Sequence, residues 1–217
     1  ARPQRPAARC GQVQLVNDLL AAYAAGWFPM AEGPNRALGL FRAQQRALMP
    51  LDQRFHVPRS LRRQLKPDRF ELRLNSAFAA VVDGCADRPS TWISLELRAI
   101  YQELHHLGWA HSIEAWDEHG LAGGQLGLAI GRCWIGESMF HSRPHASNVV
   151  LVKLQQALRH GGFELFDVQI SNPHLERFGC FELSDADYSS LLTQAVQQPA
   201  QLQIGGTTVN SEAWMAR

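Results

Sequence analysis

The 217-residue sequence has no long apolar run. Nothing in it approaches the roughly 18 consecutive apolar residues that a membrane-spanning helix needs. No apolar core of the kind found in a secretion signal follows the Arg- and Pro-rich opening. From these absences we expect a soluble, cytoplasmic protein that has no membrane partner.

Metal-binding and redox motifs are also missing. The four cysteines are far apart, form no C-x-x-C pair and have no histidine at zinc-ligand spacing. His141 and His145 have no third ligand close by in the sequence. We therefore expect reduced, packed thiols and no metal. The cysteines are Cys10, Cys85, Cys133 and Cys180.

The motifs of common nucleotide-binding and hydrolytic sites are absent as well. There is no G-x-x-x-x-G-K-[ST] loop, no strand-associated G-x-G-x-x-G and no nucleophile elbow. The glycines from Gly123 to Gly127 have the wrong spacing for either phosphate-binding loop. Nucleotide hydrolysis and serine-type hydrolysis are therefore poorly supported.

Charge is present in balanced amounts but is unevenly distributed. The formal net charge is +1, yet residues 1–73 hold 13 basic and 5 acidic side chains, whereas residues 74–217 hold 8 and 15. Within the first part, residues 54–73 contain 7 cations and 2 acids. Such a run is usually a solvated face, and a surface that neutralises phosphates is the alternative.

Hydrophobic periodicity predicts an α/β protein. We expect a loose tail over residues 1–12, a small basic α+β domain over 13–68, and a larger domain over 69–217. The larger domain should contain a mixed, largely antiparallel sheet flanked by helices. Helices are predicted over 13–25, 58–66, 77–86, 95–108, 146–160 and 185–197, and strands over 38–41, 70–75, 110–117, 121–131, 132–140 and 163–170.

Polar side chains interrupt two of the apolar strands. Glu137 stands at the end of one, and Asp167 and Gln169 point to the same side of another. Buried polar groups are costly unless they are hydrogen-bonded or used. Either a structural or a functional role fits these three residues. The run 141–148 before a helix, in which Ser147 or Asn148 can form the cap, fits either a capped loop or an anion site.

Several short motifs together resemble one enzyme family. They are Trp92-Ile93, A-H-S-I-E-x-W over 110–116, G-E-S-M-F over 136–140, and D-x-Q over 167–169. Their order and spacing resemble those of the leucyl/phenylalanyl-tRNA-protein transferases, and the resemblance extends over roughly residues 15–195.

The resemblance implies a fold, a reaction and partners. The family has a small N-terminal domain and a GNAT-like acyltransferase domain, and it transfers Leu or Phe from tRNA to the N-terminal Arg or Lys of a protein. The added residue marks the acceptor for degradation, and Met is a further donor to consider. The loop that holds acetyl-CoA in ordinary acetyltransferases is absent, so aminoacyl-tRNA is the expected donor, with no cofactor. We expect a monomer. The alternatives are a non-catalytic tRNA-binding relative and a GNAT-fold acyltransferase with another donor.

The resemblance also implies roles for individual residues. Asp167, Gln169 and Glu137 match the catalytic positions. Because an amide is a very weak base, we expect Gln169 to orient the acceptor amine with Asp167, not to remove its proton. The residues assigned to substrate binding are Met30, Trp92, Gln125, Trp134, Ser138, Met139, Phe140, Leu154 and Asn172, and those assigned to tRNA binding are Arg46, Arg54, Arg59, Arg62, Arg63 and Lys66.

Four of these positions depart from the family pattern. Met30 replaces an aromatic residue near the terminal adenosine. Gln125 puts an amide where a methionine usually lines the pocket for the transferred side chain. Trp134, in place of Phe, should narrow that pocket, and Leu154, in place of an aromatic residue, should widen it. We therefore expect an altered donor preference.

Overall fold

The computed structural model describes residues 7–32, 37–63, 65 and 69–215. The helices are α1 Ala7–Ala24, α2 Arg59–Arg62, α3 Phe78–Ala86, α4 Leu95–His106, α5 Ala146–His160, α6 Pro173–Glu176 and α7 Asp185–Ala195. The strands are β1 Phe28–Glu32, β2 Ala37–Phe41, β3 Gln45–Leu48, β4 Glu71–Leu74, β5 Ala110–Asp117, β6 Gly120–Ile130, β7 Cys133–His141, β8 Leu165–Gln169, β9 Phe181–Ser184, β10 Ala200–Ile204 and β11 Thr207–Ser211.

A seven-stranded mixed sheet organises the molecule. Its strand order is β4-β5-β6-β7-β8-β3-β9, and every neighbouring pair is antiparallel except β7 with β8. Strands β1 and β2 form one separate hairpin, and β10 and β11 form another. The predicted fold class, a mixed and largely antiparallel sheet with flanking helices, is confirmed.

Apolar side chains cover both faces of this sheet. Strand β6 turns Leu126, Leu128 and Ile130 toward a core shared with α1, α3, α4 and α7, and turns Ala129 toward a second core shared with α5. Burial of each such Leu side chain contributes roughly 1.5–3 kcal/mol. The alternation along β6 therefore produces a three-layer arrangement of helices, sheet and helices.

Helix ends differ from the prediction at several points. Ser94 caps α4, since its hydroxyl accepts a hydrogen bond from Leu97 N at 3.1 Å, as its position before the helix indicated. The predicted cap of α5 by Ser147 or Asn148 is wrong, because the helix begins after His145, which has φ 72° and makes no side-chain cap. Helix α1 already begins at Ala7, so residues 7–12 are helical instead of a loose tail.

Strand β3 was missed by the sequence analysis. It is four residues long and contains Arg46, so its letters carry little strand signal. It comes from the basic N-terminal part of the chain, yet it lies in the large sheet between β8 and β9. The division of the chain into two domains near residue 68 stays a prediction.

Candidate active site

A cleft opens where β7 and β8 separate. The two parallel strands pair only at Cys133–Leu165, Trp134–Phe166 and Ile135–Asp167, and beyond these pairs they diverge. Glu137 on β7 and Gln169 on β8 line both lobes of the resulting cleft, which measure about 150 and 240 Å³. Phe28, Pro29 and Met30 complete the first lobe, and Gln125, Ser138, Met139, Asn172, His174 and Leu175 are among the residues that complete the second.

Asp167 is fully buried beside this cleft and has four hydrogen-bond donors. Its Oδ1 accepts from Arg46 Nε at 2.8 Å and from the backbone N of Gln169 at 2.9 Å. Its Oδ2 accepts from Arg46 Nη2 at 2.6 Å and from the Tyr188 hydroxyl at 2.7 Å. With both oxygens doubly occupied, the carboxylate has no lone pair left for a substrate. Asp167 therefore anchors the backbone of Gln169 and does not act on the amine directly.

Arg46 is the partner of Asp167, and the assignment of Arg46 to tRNA binding needs correction. Only 1% of its side chain is exposed, and its remaining nitrogen, Nη1, donates to the carbonyl oxygen of Gly26 at 2.9 Å. Burial by itself lowers the pKa of Arg46, but the charge of Asp167 outweighs it and raises that pKa above its usual value. A guanidinium held in this way cannot reach a phosphate at the surface.

Gln169 has a strained backbone and a defined amide orientation. Its φ of 58° lies in the left-handed region, where residues other than glycine are uncommon. When its Nε2 is turned to donate to the carbonyl oxygens of Gly136 at 3.0 Å and Val168 at 2.9 Å, the amide nitrogen is fully paired. In that orientation the amide oxygen faces Glu137. In the opposite orientation Nε2 donates to Glu137 Oε1 at 3.5 Å, a longer contact than either bond to a carbonyl oxygen, so these distances favour the amide oxygen as the atom that faces the cleft.

Glu137 is half-buried and unusually basic for a carboxylate. Its Oε2 accepts from the Tyr101 hydroxyl at 2.8 Å, and the Tyr101 and Tyr23 hydroxyls are 3.4 Å apart. Burial raises the pKa of Glu137 to about 7, although the hydrogen bonds from the two tyrosines oppose the shift. Near neutral pH the residue is therefore divided between its charged form and its neutral form, which can donate to the Gln169 amide oxygen.

Most of the predicted substrate-binding residues line the cleft. Trp92 borders both lobes, Met30 lies in the first, and Ser138 and Met139 lie in the second. Asn172 also borders the second lobe, but its Oδ1 accepts from the backbone N atoms of the first turn of α6 and is thereby committed as a helix cap. Phe140 lines an adjoining recess together with Met139.

Two predicted pocket residues do not reach the cleft. Trp134 and Leu154 are fully buried in the core between the sheet and α5. The indole of Trp134 lies flat against Gly127, where an added Cβ would come within 2.4 Å of the ring. The indole, which is larger than the ring of the usual Phe, therefore fills space over a glycine in the core. The prediction that Trp134 narrows the pocket is wrong.

The basic residues of the N-terminal part lie in and around the short helix α2. Arg59, Arg62 and Arg63 are exposed, and Arg54 is exposed but forms an ion pair with Asp52 at 2.8 Å. Helix α2 spans Arg59–Arg62, within the predicted nine residues, and carries two of the four predicted cations, Arg59 and Arg62. Lys66 lies outside the described residues.

Ring stacking fixes the position of this segment. Phe55 stacks on Phe178 with ring centroids 6.0 Å apart, and His56 N donates to Phe178 O at 3.1 Å. Phe178 follows α6, which carries His174 and Leu175 into the second lobe. The segment that leads into α2 is thus packed against the end of α6.

Comparison with known proteins identifies the family. The family model described as leucyl/phenylalanyl-tRNA protein transferase matches residues 48–193. A protein of that name from Synechococcus sp. (strain JA-3-3Ab) is 50% identical over 86% of this chain and 97% of its own length. The chain belongs to the leucyl/phenylalanyl-tRNA-protein transferase family. The predicted family is confirmed, and with it the enzyme class, an aminoacyltransferase.

Other members of the transferase family are similar over most of their length. The protein of that name from Thermosynechococcus vestitus is 51% identical over 82% of this chain and 90% of its own length. One from Akkermansia muciniphila is 44% identical over 83% of this chain and 95% of its own length. The cleft residues Glu137 and Gln169 both lie within the matched region.

The sequence analysis assigned no site role to Tyr23, Tyr101 and Tyr188. Their hydroxyls are buried on helices and hydrogen-bond to each other or to carboxylates of β7 and β8. The sequence signal for these residues is a tyrosine on the apolar face of a helix. Because a buried hydroxyl needs a hydrogen-bond partner, such a tyrosine predicts a polar group nearby.

Two kinds of feature are absent from the described part of the chain. No helix there is both long enough and apolar enough to cross a bilayer. Histidine, cysteine, aspartate and glutamate side chains within the same residues form no group of three or more that could hold a metal ion.

Proposed function

We propose that this protein transfers Leu or Phe from an aminoacyl-tRNA to the N-terminal Arg or Lys of an acceptor protein, with Met as a further donor, and thereby marks the acceptor for degradation. The observation that carries the proposal is the opening between β7 and β8, in which Glu137 and the Gln169 amide face each other. Family membership supports the choice of donor.

The residues of the cleft suggest how the reaction proceeds. The acceptor amine attacks the ester carbonyl carbon, its nitrogen forms the peptide bond, and the bond to the 3′ oxygen of the tRNA breaks. The amine must lose a proton, and the leaving oxygen must gain one. An N-terminal amine has a pKa of about 8, so a carboxylate with a pKa of about 7 can exchange a proton with it. Glu137 takes the proton and returns it to the leaving oxygen.

Gln169 supplies orientation in this scheme. Its amide oxygen accepts a hydrogen bond from the attacking amine and holds the nitrogen lone pair toward the ester. Asp167 and Arg46 keep the left-handed backbone of Gln169 in place. This modifies the role expected for Asp167, which becomes a positioning residue.

The two substrates fit the uneven charge of the chain. The exposed arginines of the α2 region are suited to tRNA phosphates, because each neutralised phosphate releases counterions. The acidic C-terminal part, with its excess of seven negative charges, favours the approach of a basic acceptor N-terminus. We place the reaction in the cytoplasm and expect the protein to act as a monomer.

The direct test is a transfer assay. The protein is incubated with Leu-, Phe- and Met-tRNA that carry labelled amino acids and with peptides that begin with Arg or Lys, and labelled peptide is expected. The same peptide with an acetylated N-terminus should remain unlabelled. No transfer from any charged tRNA, together with intact tRNA binding, would favour the non-catalytic alternative.

A further inference from the structure

Arg177 is an exposed cation to which the sequence analysis assigned no role. It is the C-cap residue of α6, the short helix that carries His174 and Leu175 into the second lobe of the cleft. None of the ion pairs among the described residues includes Arg177. Its guanidinium is therefore available to an anion from outside the chain.

One neighbour of Arg177 faces the cleft. His174 precedes it by three residues, so the two side chains lie on the same side of the helical turn. His174 borders both the second lobe and the recess next to it. Burial lowers the pKa of His174, and the nearby charge of Arg177 lowers it further. Arg177 thus lies close to the wall of the cleft.

The other neighbour of Arg177 faces the segment that leads into α2. Phe178 is the next residue along the chain, and its ring stacks on that of Phe55 with centroids 6.0 Å apart. Leu175 of α6 and Leu61 of α2 belong to the same apolar core. Arg177 therefore lies between a residue of the cleft and the part of the chain that continues into the exposed arginines of α2.

We propose that Arg177 binds a backbone phosphate in the single-stranded CCA end of the donor tRNA and so helps to position the aminoacyl ester in the cleft. The proposal rests on the proposed function, in which the ester lies at Glu137 and Gln169 while the arginines of α2 hold the body of the tRNA. The strand between these two places has to pass α6. Each of its internucleotide links carries one negative charge, and the planar guanidinium of arginine matches a phosphate with two parallel hydrogen bonds.

The test compares three phenylalanine donors that differ in their phosphates, with one Arg-initiated peptide as acceptor. They are 3′-phenylalanyl-adenosine, which has no phosphate, the phenylalanyl ester of the trinucleotide CCA, and Phe-tRNA. Arg177→Gln should lower kcat/KM roughly tenfold for the trinucleotide and for Phe-tRNA, and should leave it unchanged for the adenosine ester. With the trinucleotide, the slope of log kcat/KM against log salt should fall by about 0.7.

Two further variants separate a phosphate contact from a structural effect. Arg177→Lys keeps the positive charge and should recover most of the loss. Arg132→Gln removes a cation of the surface pair with Glu164, so it should leave kcat/KM unchanged for all three donors. The melting temperature of Arg177→Gln should equal that of the wild type, because the side chain is exposed.

The donors also separate the two proposals. An Arg177→Gln variant that transfers from all three donors as well as the wild type does, or that loses the same factor with the phosphate-free ester, overturns the proposal about Arg177 and leaves the proposed function intact. A wild type that transfers phenylalanine from none of the three donors contradicts the proposed function and, with it, the role of Arg177.

Discussion

Two carboxylates on neighbouring strands, Glu137 and Asp167, have opposite surroundings. Asp167 is neutralised by Arg46 and receives four hydrogen bonds, whereas Glu137 is half-buried beside tyrosine hydroxyls and has a pKa of about 7. Two nearby carboxylates whose surroundings differ in this way usually have different roles. At this scale Glu137 is the carboxylate that lines the cleft, and Asp167 is the one whose two oxygens are both taken up by protein donors.

Glu137→Gln should reduce transfer by roughly 10²–10⁴-fold, because it removes the group that exchanges the proton. The wild-type rate should increase as the pH rises through about 7, where Glu137 ionises. The variant should lose this increase and keep only the one that follows the acceptor amine at a pKa of about 8. Single-turnover rates between pH 5.5 and 9 measure both effects.

Glu164→Gln serves as the control for this substitution. Glu164 precedes β8 at the end opposite the cleft and pairs with Arg132 at the surface. The Glu164→Gln variant should have the same transfer rate and the same pH profile as the wild type. A Glu137→Gln variant that keeps the increase near pH 7 contradicts the assignment of Glu137.

Asp167→Ala should destabilise the fold by roughly 3–5 kcal/mol, because it leaves the buried guanidinium of Arg46 unpaired. The resemblance placed Asp167 at a catalytic position, but because the pair is buried, the first consequence of this substitution is a loss of stability. Tyr188→Phe removes one donor to the same carboxylate and should cost about 1 kcal/mol. Urea unfolding measures the loss of stability in both variants. A fully stable Asp167→Ala variant without activity would restore a direct catalytic role.

At the scale of elements, the β7–β8 pair and the packing of Phe55 on Phe178 shape the candidate site. Parallel pairing over three residues lets the strands diverge at Glu137. Stacking of Phe55 on Phe178 packs the segment that precedes α2 against the end of α6, and α6 borders the second lobe of the cleft. One short helix, α6, thus connects the cleft with the segment that leads into the basic residues.

The double variant Arg59→Gln/Arg63→Gln should weaken tRNA binding and reduce the slope of log K against log salt by about 1–2. Each lost phosphate contact accounts for roughly 0.7–0.9 of that slope. Binding measured between 50 and 300 mM salt tests the prediction. Arg98→Gln/Arg132→Gln, with the same change of charge at two surface ion pairs, should leave the slope unchanged. If the wild type and both double variants had the same slope of log K against log salt, the basic segment would be a solvated face that does not contact tRNA.

At the scale of the whole molecule, the N-terminal part contributes to the large sheet. Strand β3 pairs with β8 on one side and β9 on the other, and its Arg46 neutralises Asp167. The basic N-terminal part and the acidic C-terminal part of the chain thus contribute strands to the same sheet.

Removal of residues 1–68 should therefore prevent cooperative folding of the remainder. The truncated chain loses the strand between β8 and β9 and leaves Asp167 buried without Arg46. Thermal unfolding followed by near-ultraviolet circular dichroism, with the full chain as the control, should show no cooperative transition. A sharp transition would support two independent domains, as the charge boundary suggests.

Local patterns in the sequence identified the long elements and the reactive groups. Helices α4 and α5, strands β5 to β7, and the Ser94 cap follow from periodicity and capping chemistry, which depend only on near neighbours. Glu137 and Gln169 were recognisable as polar groups in apolar strands. Strand β3 was not recognisable, because a four-residue strand is stabilised by its partners and not by its own composition.

By itself, the sequence determined the family, the fold class and the polar residues of the cleft. Only the tertiary structure decided their roles, because a role depends on which groups meet from distant parts of the chain. Arg46 meets Asp167 across 121 positions, so a cation expected at the surface becomes a buried counter-ion. Trp134 turns away onto Gly127, while Gln125 borders the cleft, where its amide oxygen has no hydrogen-bond partner among the described residues. These roles depend on how deeply each side chain is buried and on which residues it contacts, and no local sequence pattern encodes either.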